Sequence, residues 1–503
     1  MQPSTAKIIE CLRGVLARDV APELRSPHAA AQLELVDVAL RELWSRAAGK
    51  KQRLTRAYEA QRRLLADGRR LSAAAEFDRR FGAFEAETDG SLARMATWEQ
   101  VQDACDRLRD ELASLTEAIM AALPLQGSVG AGPAEAEARS WIEAVMREEL
   151  DRATLMLSDS VPADAAVEAL PDLDCGGLGA YFADRLRVAQ PASWTLRKLS
   201  GGFSRETYSI EVASGGQSRW IIRKERRGGL MENIALTLEN EYTIVRLLFG
   251  KGLPVPRPLW LETDESLLGG AFAVVDRAPG EVLGSAVKIA ALTESVMQDI
   301  ARVLARLHTA CWEDREPEVR AALSYPREAP LSLNGVFNTT LARWQDFMHQ
   351  KRVTSPSISA ALQWLAAHPP PDGGRLCLLH GDYGLHNMLF ENHRMTALLD
   401  WEHASLGDPA RDLVQIRRQL TQFVAWPRFM RWYREAGGPD VADDSLSYYE
   451  VYSATNAMIT MLVALESQFE LQSPGQIKYL ELGLGFLPHY ARLFAVAAAP
   501  VWT

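Results

Sequence analysis

Apolar residues recur at helical spacing through the first third of the chain and then switch to strand-like alternation. Ile8, Leu12, Val15 and Leu16 form one helical stripe, and Leu33, Val36, Leu40 and Leu43 a second. Leu108, Leu112, Leu115, Ile119 and Leu123 form a third, and Trp141, Val145 and Leu150 a looser fourth. Pro27, the Thr88-Asp-Gly90 stretch and the Gly127–Pro133 segment punctuate them, so residues 1–160 predict a bundle of five or six helices. Pro162, Pro171 and a Gly-Gly pair mark 161–190 as a linker with a lead-in helix. From Trp194 the pattern alternates: Trp194–Leu199, Thr207–Val212 and Arg219–Arg223 read as strands. A helix from Glu232 to Phe249 follows, then a Pro254-Val-Pro-Arg-Pro258 break and strands at Leu259–Glu262 and Ala271–Val275. After Ala286 helices dominate, apart from strand-like runs at Leu376–Leu379, Met388–Phe390 and Ala397–Leu399. The expected fold is α+β: a helical domain (1–160), a small β-rich lobe with one helix (191–280) and a large helical lobe (281–503).

At 503 residues the chain exceeds one ordinary core, and its 47% hydrophobic content is that of a globular protein. Fifty-five basic against 65 acidic residues give a net charge of −10, which argues against a nucleic-acid partner. Cys11, Cys105, Cys175, Cys311 and Cys377 are scattered and form no CxxC pair, which predicts free thiols in a reducing compartment. Lys7, Glu10 and Arg13 interrupt the N-terminal segment, and no uncharged stretch reaches membrane-spanning length. A cytoplasmic location with no membrane contact is the expectation.

The chemistry concentrates in His380-Gly-Asp-Tyr-Gly-Leu-His-Asn387 and in Asp400-Trp-Glu402. Asp382 is the candidate base or hydroxyl-orienting group, while Asn387 and Asp400 offer hard oxygens to Mg²⁺. With strands on either side, this spacing fits a phosphoryl-transfer loop followed by its metal-binding aspartate, with ATP as donor. The Ser200-Gly-Gly-Phe-Ser204 turn is the candidate phosphate cover, through the amides of Gly201 and Gly202 and the hydroxyl of Ser204. Arg223 ends a strand where a phosphate-pairing cation is needed, and Glu241 on the next helix is its natural partner. Lys224 and Glu239 are the fallbacks, since strand alternation allows only one of the two neighbouring cations to face the site. Val275 and Asp276, entering the Val274–Gly280 connector, are placed at the adenine edge. His380 is expected to brace the loop backbone, His386 to sit in the loop or acceptor pocket, and Asp408 and Asp412 to cap or brace. Trp426 and Trp432 are expected in the core or a pocket wall. The rival reading gives His380, Asp382 and His386 to a transition metal, and the bland one makes the whole motif a solvated loop.

These motifs resemble the aminoglycoside phosphotransferase-like kinases over about residues 175–495. Gly252-Leu-Pro-Val-Pro-Arg-Pro258, Trp401-Glu402 and Gly407-Asp-Pro409 further resemble the branch that includes the kinase domain fused to some acyl-CoA dehydrogenases. The resemblance implies a two-lobed protein-kinase-like fold, ATP and Mg²⁺, and a small-molecule hydroxyl acceptor. By position it makes Asp382 the base, Asn387 and Asp400 the metal ligands, and Arg223 and Glu241 the ion pair. His386 departs from the branch, which more often carries a small residue there. A hydroxyacyl-CoA is the acceptor that the branch suggests, an aminoglycoside the alternative. A nucleotide-binding scaffold that uses the helical domain to dock a protein partner or a second copy is the third reading.

Overall fold

The computed structural model describes residues 50–71, 98–122, 133–156, 173–174, 178–186, 194–199, 205–212, 219–225, 235–284, 291–310, 316–325, 332–350, 354–370 and 376–466, with isolated positions at 13, 16, 494, 496 and 497. The glycine turn at 201–204 and, Leu16 apart, the two stripes before residue 50 lie outside them. The chain divides into two units, neither continuous in sequence: residues 1–165, 338–369 and 450–503 form one, and 166–337 with 370–449 the other.

In the N-terminal segment of the first unit three long helices are described: α1 (Lys50–Leu71), α2 (Trp98–Ala122) and α3 (Pro133–Met156). Their stripes meet as expected, with Leu108, Leu112, Leu115, Trp141 and Val145 buried against Leu54, Tyr58 and Leu65. Gly68 gives the Trp141 ring its room, since a Cβ there would lie 2.5 Å from the indole, and Trp141 Nε1 donates to the Leu64 carbonyl at 2.6 Å. The contiguous partition expected from the sequence does not hold here. A helix later in the chain, Pro356–Ala367, packs on α2 and α3, and Glu149 of α3 accepts from its Ser357 N–H at 2.9 Å. A carboxylate against that first turn answers both the orphan amide and the helix dipole.

The second unit begins with β1 (Leu173–Asp174), α4 (Gly179–Leu186), β2 (Trp194–Lys198), β3 (Arg205–Val212), β4 (Trp220–Glu225), α5 (Leu238–Gly250), β5 (Pro258–Glu262) and β6 (Phe272–Asp276). The strands form one antiparallel sheet in the order β1-β2-β3-β4-β6-β5. One sheet face is apolar through Leu196, Tyr208, Ile210, Ile222, Phe272 and Val274, and Phe182 of α4 packs into it. Helix α5 starts six residues later than its periodicity suggested. Thr237 caps it in an extended conformation by accepting from Asn240 N–H at 3.2 Å, and the preceding Leu236 N–H reaches the Glu402 carbonyl at 2.8 Å.

The lead-in helix is tied to the sheet by polar contacts as well. Tyr181 donates to Glu262 at 2.6 Å and accepts from Trp260 Nε1 at 2.9 Å. Burial, and then the Glu262 carboxylate, push its phenol up to about 12, so it stays a donor at neutral pH. Tyr181→Phe leaves Glu262 and the indole N–H each short of a partner, and is expected to cost about 1 kcal/mol in denaturant unfolding. An unchanged midpoint would show the hydroxyl to be idle.

Beyond the connector come β7 (Glu281–Val282), α6 (Glu294–Thr309), α7 (Glu316–Ala322), α8 (Leu333–Gln350), α9 (Pro356–Ala367), β8 (Cys377–Leu379), β9 (Met388–Glu391), β10 (Arg394–Leu398), β11 (Ser405–Gly407), α10 (Ala410–Leu420), α11 (Trp426–Glu435) and α12 (Asp443–Glu466). β8 pairs with β11, and β9 with both β10 and β7. The fold is therefore α+β, a small sheet lobe followed by a mainly helical one. Among the described residues no helix is long and apolar enough to cross a membrane.

Candidate active site

β8 is wholly buried and its three residues pair with β11, so the chain must turn at His380. Gly381 makes that turn at φ +80°, where a Cβ would lie 2.1 Å from the His403 carbonyl oxygen. Only glycine meets both demands. His380 is fully buried, donates from Nε2 to the Leu399 carbonyl at 2.8 Å, and accepts the Asp382 N–H on Nδ1 at 3.2 Å. Both ring nitrogens are thus committed, which fixes the tautomer and rules out His380 as a metal ligand in this conformation. Burial pushes its pKa down, consistent with a neutral brace.

Helix α10 supplies the rest of the support. Asp412 accepts the N–H groups of His380 at 2.8 Å and Gly381 at 2.9 Å. Gln415 accepts Tyr383 N–H at 2.7 Å and donates to the Gly381 carbonyl at 2.6 Å, and Gln419 accepts Leu385 N–H at 2.8 Å. Three side chains at i, i+3 and i+7 thereby hold five backbone groups of the loop. Asp408 accepts Ala410 N–H at 2.8 Å at the start of the same helix, so both acids brace and cap as expected. The two glutamines were not anticipated; their signal was a polar row at helical spacing in a helix whose other inward positions are apolar. His308 was also missed: it bonds Asp412 at 3.3 Å and the Tyr433 hydroxyl at 2.7 Å.

On this frame Asp382 is half-buried. Its Oδ2 accepts Asn387 Nδ2 at 2.9 Å and His386 Nε2 at 3.0 Å, and its backbone carbonyl takes Asn387 Nδ2 as well, at 3.0 Å. Burial favours the neutral acid, but the His386 hydrogen bond and charge lead the effects that outweigh it and hold the carboxyl far below its usual range. The Asn387 backbone carbonyl accepts Leu399 N–H at 2.8 Å, which sets Asp400 beside it. Asp400 stands at φ +64°, a left-handed conformation that aspartate tolerates better than most residues.

Arg223 crosses from β4 to meet this loop. Its Nη2 lies 3.1 Å from Glu241 and 2.8 Å from Asp400. Burial disfavours the guanidinium charge, but Glu241, Asp400 and Glu402 raise its pKa well above normal. Asp400 shows the reciprocal effect, held low by Arg223 against the cost of burial and the repulsion of Asp382. Lys224 faces away, paired with Glu206 at 2.8 Å, and Glu239 is exposed while Glu241 is buried. A second arginine, Arg205 on β3, lies 3.6 Å from Glu241 and donates to the Leu236 carbonyl.

At the connector, Val275 is buried in β6. Asp276 N–H donates to the Arg257 carbonyl at 2.9 Å, its carboxylate pairs with Arg257 at 2.6 Å, and Arg277 N–H donates to the Arg219 carbonyl at 2.7 Å. These two amides are therefore already committed within the protein. Gly280, at φ +108°, lets the connector pass over β9, where a Cβ would lie 2.6 Å from the Phe390 carbonyl oxygen.

The donor chemistry suits a hard divalent cation. Both partners of Asn387 Nδ2 are pure acceptors, which fixes the amide orientation and leaves its Oδ1 turned away from them, where it would serve as a ligand oxygen. Asp400 Oδ2 would be the second, since Arg223 occupies Oδ1. Among the described residues no group of three or more His, Cys, Asp or Glu side chains is arranged to hold a metal on its own. A magnesium ion here would complete its shell with phosphate oxygens and water.

Residues 195–454 match the model of the phosphotransferase enzyme family (APH). Acyl-CoA dehydrogenase family member 11 of Gallus gallus is 28% identical over 274 residues, 53% of this chain and 33% of that protein. Viomycin phosphotransferase of Streptomyces vinaceus is 29% identical over 186 residues, 34% of this chain and 59% of that one. The chain thus spans about one third of the first of these relatives. Among solved structures, the macrolide 2′-phosphotransferase of Brachybacterium faecium aligns at 19% identity with a TM-score of 0.41, covering 58% of this chain and 91% of that one.

Proposed function

This chain belongs to the phosphotransferase enzyme family, and from that premise we propose that it transfers the γ-phosphoryl group of ATP to a hydroxyl of a small molecule. The observation that carries the reading is Arg223 on a small-lobe strand, held between Glu241 and Asp400 at 3.1 and 2.8 Å, beside a loop that presents Asp382 and Asn387. Phosphoryl transfer needs positioned charge more than covalent chemistry, and these are the charges it needs.

In this reading Asp382 orients the acceptor hydroxyl and takes its proton as the oxygen bonds to phosphorus. Arg223 donates to the phosphate oxygens, with Glu241 holding it in place. Asn387 and Asp400 would hold Mg²⁺, which supplies neutralisation of the phosphate charge when bound. Gly201, Gly202 and Ser204 cover the phosphates, and the connector meets the adenine. The acyl-CoA dehydrogenase relatives make a hydroxylated acyl-CoA the first acceptor class to test, with aminoglycosides beside it.

A thermal shift with ATP that depends on Mg²⁺, followed by ADP release across that acceptor panel, tests the reading. No nucleotide-dependent shift would overturn it, and a shift without ADP release on any acceptor would favour a binding scaffold. Arg223→Ala is expected to weaken nucleotide binding roughly ten- to a hundred-fold, the worth of a charge-assisted contact. Lys224→Ala, which breaks only the Glu206 pair, is expected to leave it within about twofold. Equal losses in calorimetric titration would return the choice of cation to Lys224.

A further inference from the structure

One side chain of the loop has no part in the reading above. His386 Nε2 donates to Asp382 Oδ2 at 3.0 Å, on the same oxygen that Asn387 Nδ2 reaches at 2.9 Å. Two donors thus converge on Oδ2, while among the described residues no hydrogen bond or ion pair falls on Oδ1. A carboxylate pinned through one oxygen cannot rotate freely, and it presents the other in a fixed direction.

The surroundings show that the ring is seated for this contact. A Cβ on Gly384 would lie 2.6 Å from His386 Cε1 and 2.8 Å from Nδ1. Gly384 has φ −132°, open to any residue, so space for the imidazole and not backbone conformation requires the glycine. The backbone beneath the ring is pinned too, with Gly384 N–H on the Asp382 carbonyl at 2.9 Å and Leu385 N–H on Gln419 at 2.8 Å. His386 Nδ1 is buried with no hydrogen-bond partner, so Asp382 is the ring's one polar anchor among the described residues. Both side chains still reach the surface of the site, at 34% and 40% exposure.

Building on the phosphotransferase reading, we infer that His386 is a positioning residue for the base. It shares with Asn387 the task of fixing Asp382 so that Oδ1 meets the acceptor hydroxyl, and Gly384 is the room this requires. The specific consequence is a base oriented by two donors instead of the asparagine alone.

The test uses the full-length chain with Mg·ATP and water as the named acceptor, following ADP release, together with any hydroxylated acceptor that turns over. His386→Ala is expected to lower kcat roughly ten- to a hundred-fold with the KM for ATP unchanged, the cost of a misplaced reacting group. Gly384→Ala should reproduce the loss by displacing the ring. His386→Gln, whose amide nitrogen can reach the same oxygen, should recover at least part of it, which a merely space-filling histidine would not allow. A second readout needs no turnover. In protein labelled with ¹⁵N-histidine, the His386 Nε2–H resonance, identified among nine histidines by its loss in His386→Gln, should move in Asp382→Ala. Wild-type kcat in His386→Ala, or an imidazole resonance unmoved by Asp382→Ala, overturns the inference. ADP stabilisation should persist in every variant; its absence from the wild type would count against the phosphotransferase reading instead.

Discussion

Asp382→Ala is expected to reduce turnover by about three orders of magnitude or more while nucleotide binding stays at the wild-type level. A positioned base contributes roughly 10²–10⁴-fold, and among the described residues the neighbouring carboxylate of Asp400 cannot substitute, because it is engaged by Arg223 at 2.8 Å. Binding should survive because the substitution leaves the loop's supports in place: Asn387 Nδ2 keeps the residue-382 carbonyl at 3.0 Å, and Asp412, Gln415 and Gln419 grip the loop through its backbone and not through the Asp382 side chain. Asp382→Asn sharpens the test. Its amide oxygen can still accept from Asn387 and His386, but the group turned toward the acceptor becomes an N–H₂ that repels a hydroxyl proton. Equal losses in both variants assign the effect to the lost base, whereas recovery in the asparagine variant assigns it to geometry. Turnover in Asp382→Ala within tenfold of wild type would remove Asp382 from the chemistry.

Much of this arrangement was legible before any coordinates. The order of strands and helix between residues 194 and 276 follows from alternation and glycine turns. Arg223, not Lys224, faces Glu241 because side chains on a strand alternate. Asp382, Asn387 and Asp400 could be picked out because their spacing is imposed by a tight turn and a hairpin. What stayed hidden was partnership. Periodicity says that a helix has an apolar face, not which surface will cover it, so Pro356–Ala367 was placed with the large lobe and not with the N-terminal helices it packs on. Gln415 and Gln419 act through backbone amides thirty or more positions away, and no local pattern names such targets. The strain that Gly381 relieves arises from a carbonyl at His403, invisible until β8 and β11 pair. Val275 and Asp276 were read as the adenine edge, and the sequence does not show that the Arg257 carbonyl already takes the Asp276 amide.

The second large effect belongs to a residue that never touches substrate. Asp412 is fully buried, with Oδ1 on Gly381 N–H at 2.9 Å and Oδ2 on His380 N–H at 2.8 Å and His308 at 3.3 Å. Asp412→Ala strands two buried amides and an imidazole at once, and is expected to cost about 3–5 kcal/mol of stability. Turnover should fall with it, because the amides that lose their acceptor set the turn that aims Asp382. This separates it from Asp382→Ala, which silences the enzyme without unfolding it. The pH dependence carries a definite sign. Burial alone would raise the Asp412 carboxyl, but the His308 hydrogen bond and charge lead the effects that hold it below its ordinary value of about 3.9. A carboxyl depressed in the folded state stabilises above its unfolded pKa, and that stability is lost as pH falls through the folded value. The gap in unfolding free energy between wild type and Asp412→Asn should therefore be widest near neutrality and narrow in acid below about pH 4. A gap that instead widened in acid, or an alanine variant as stable as wild type, would mean that the catalytic turn is held by the glutamines alone.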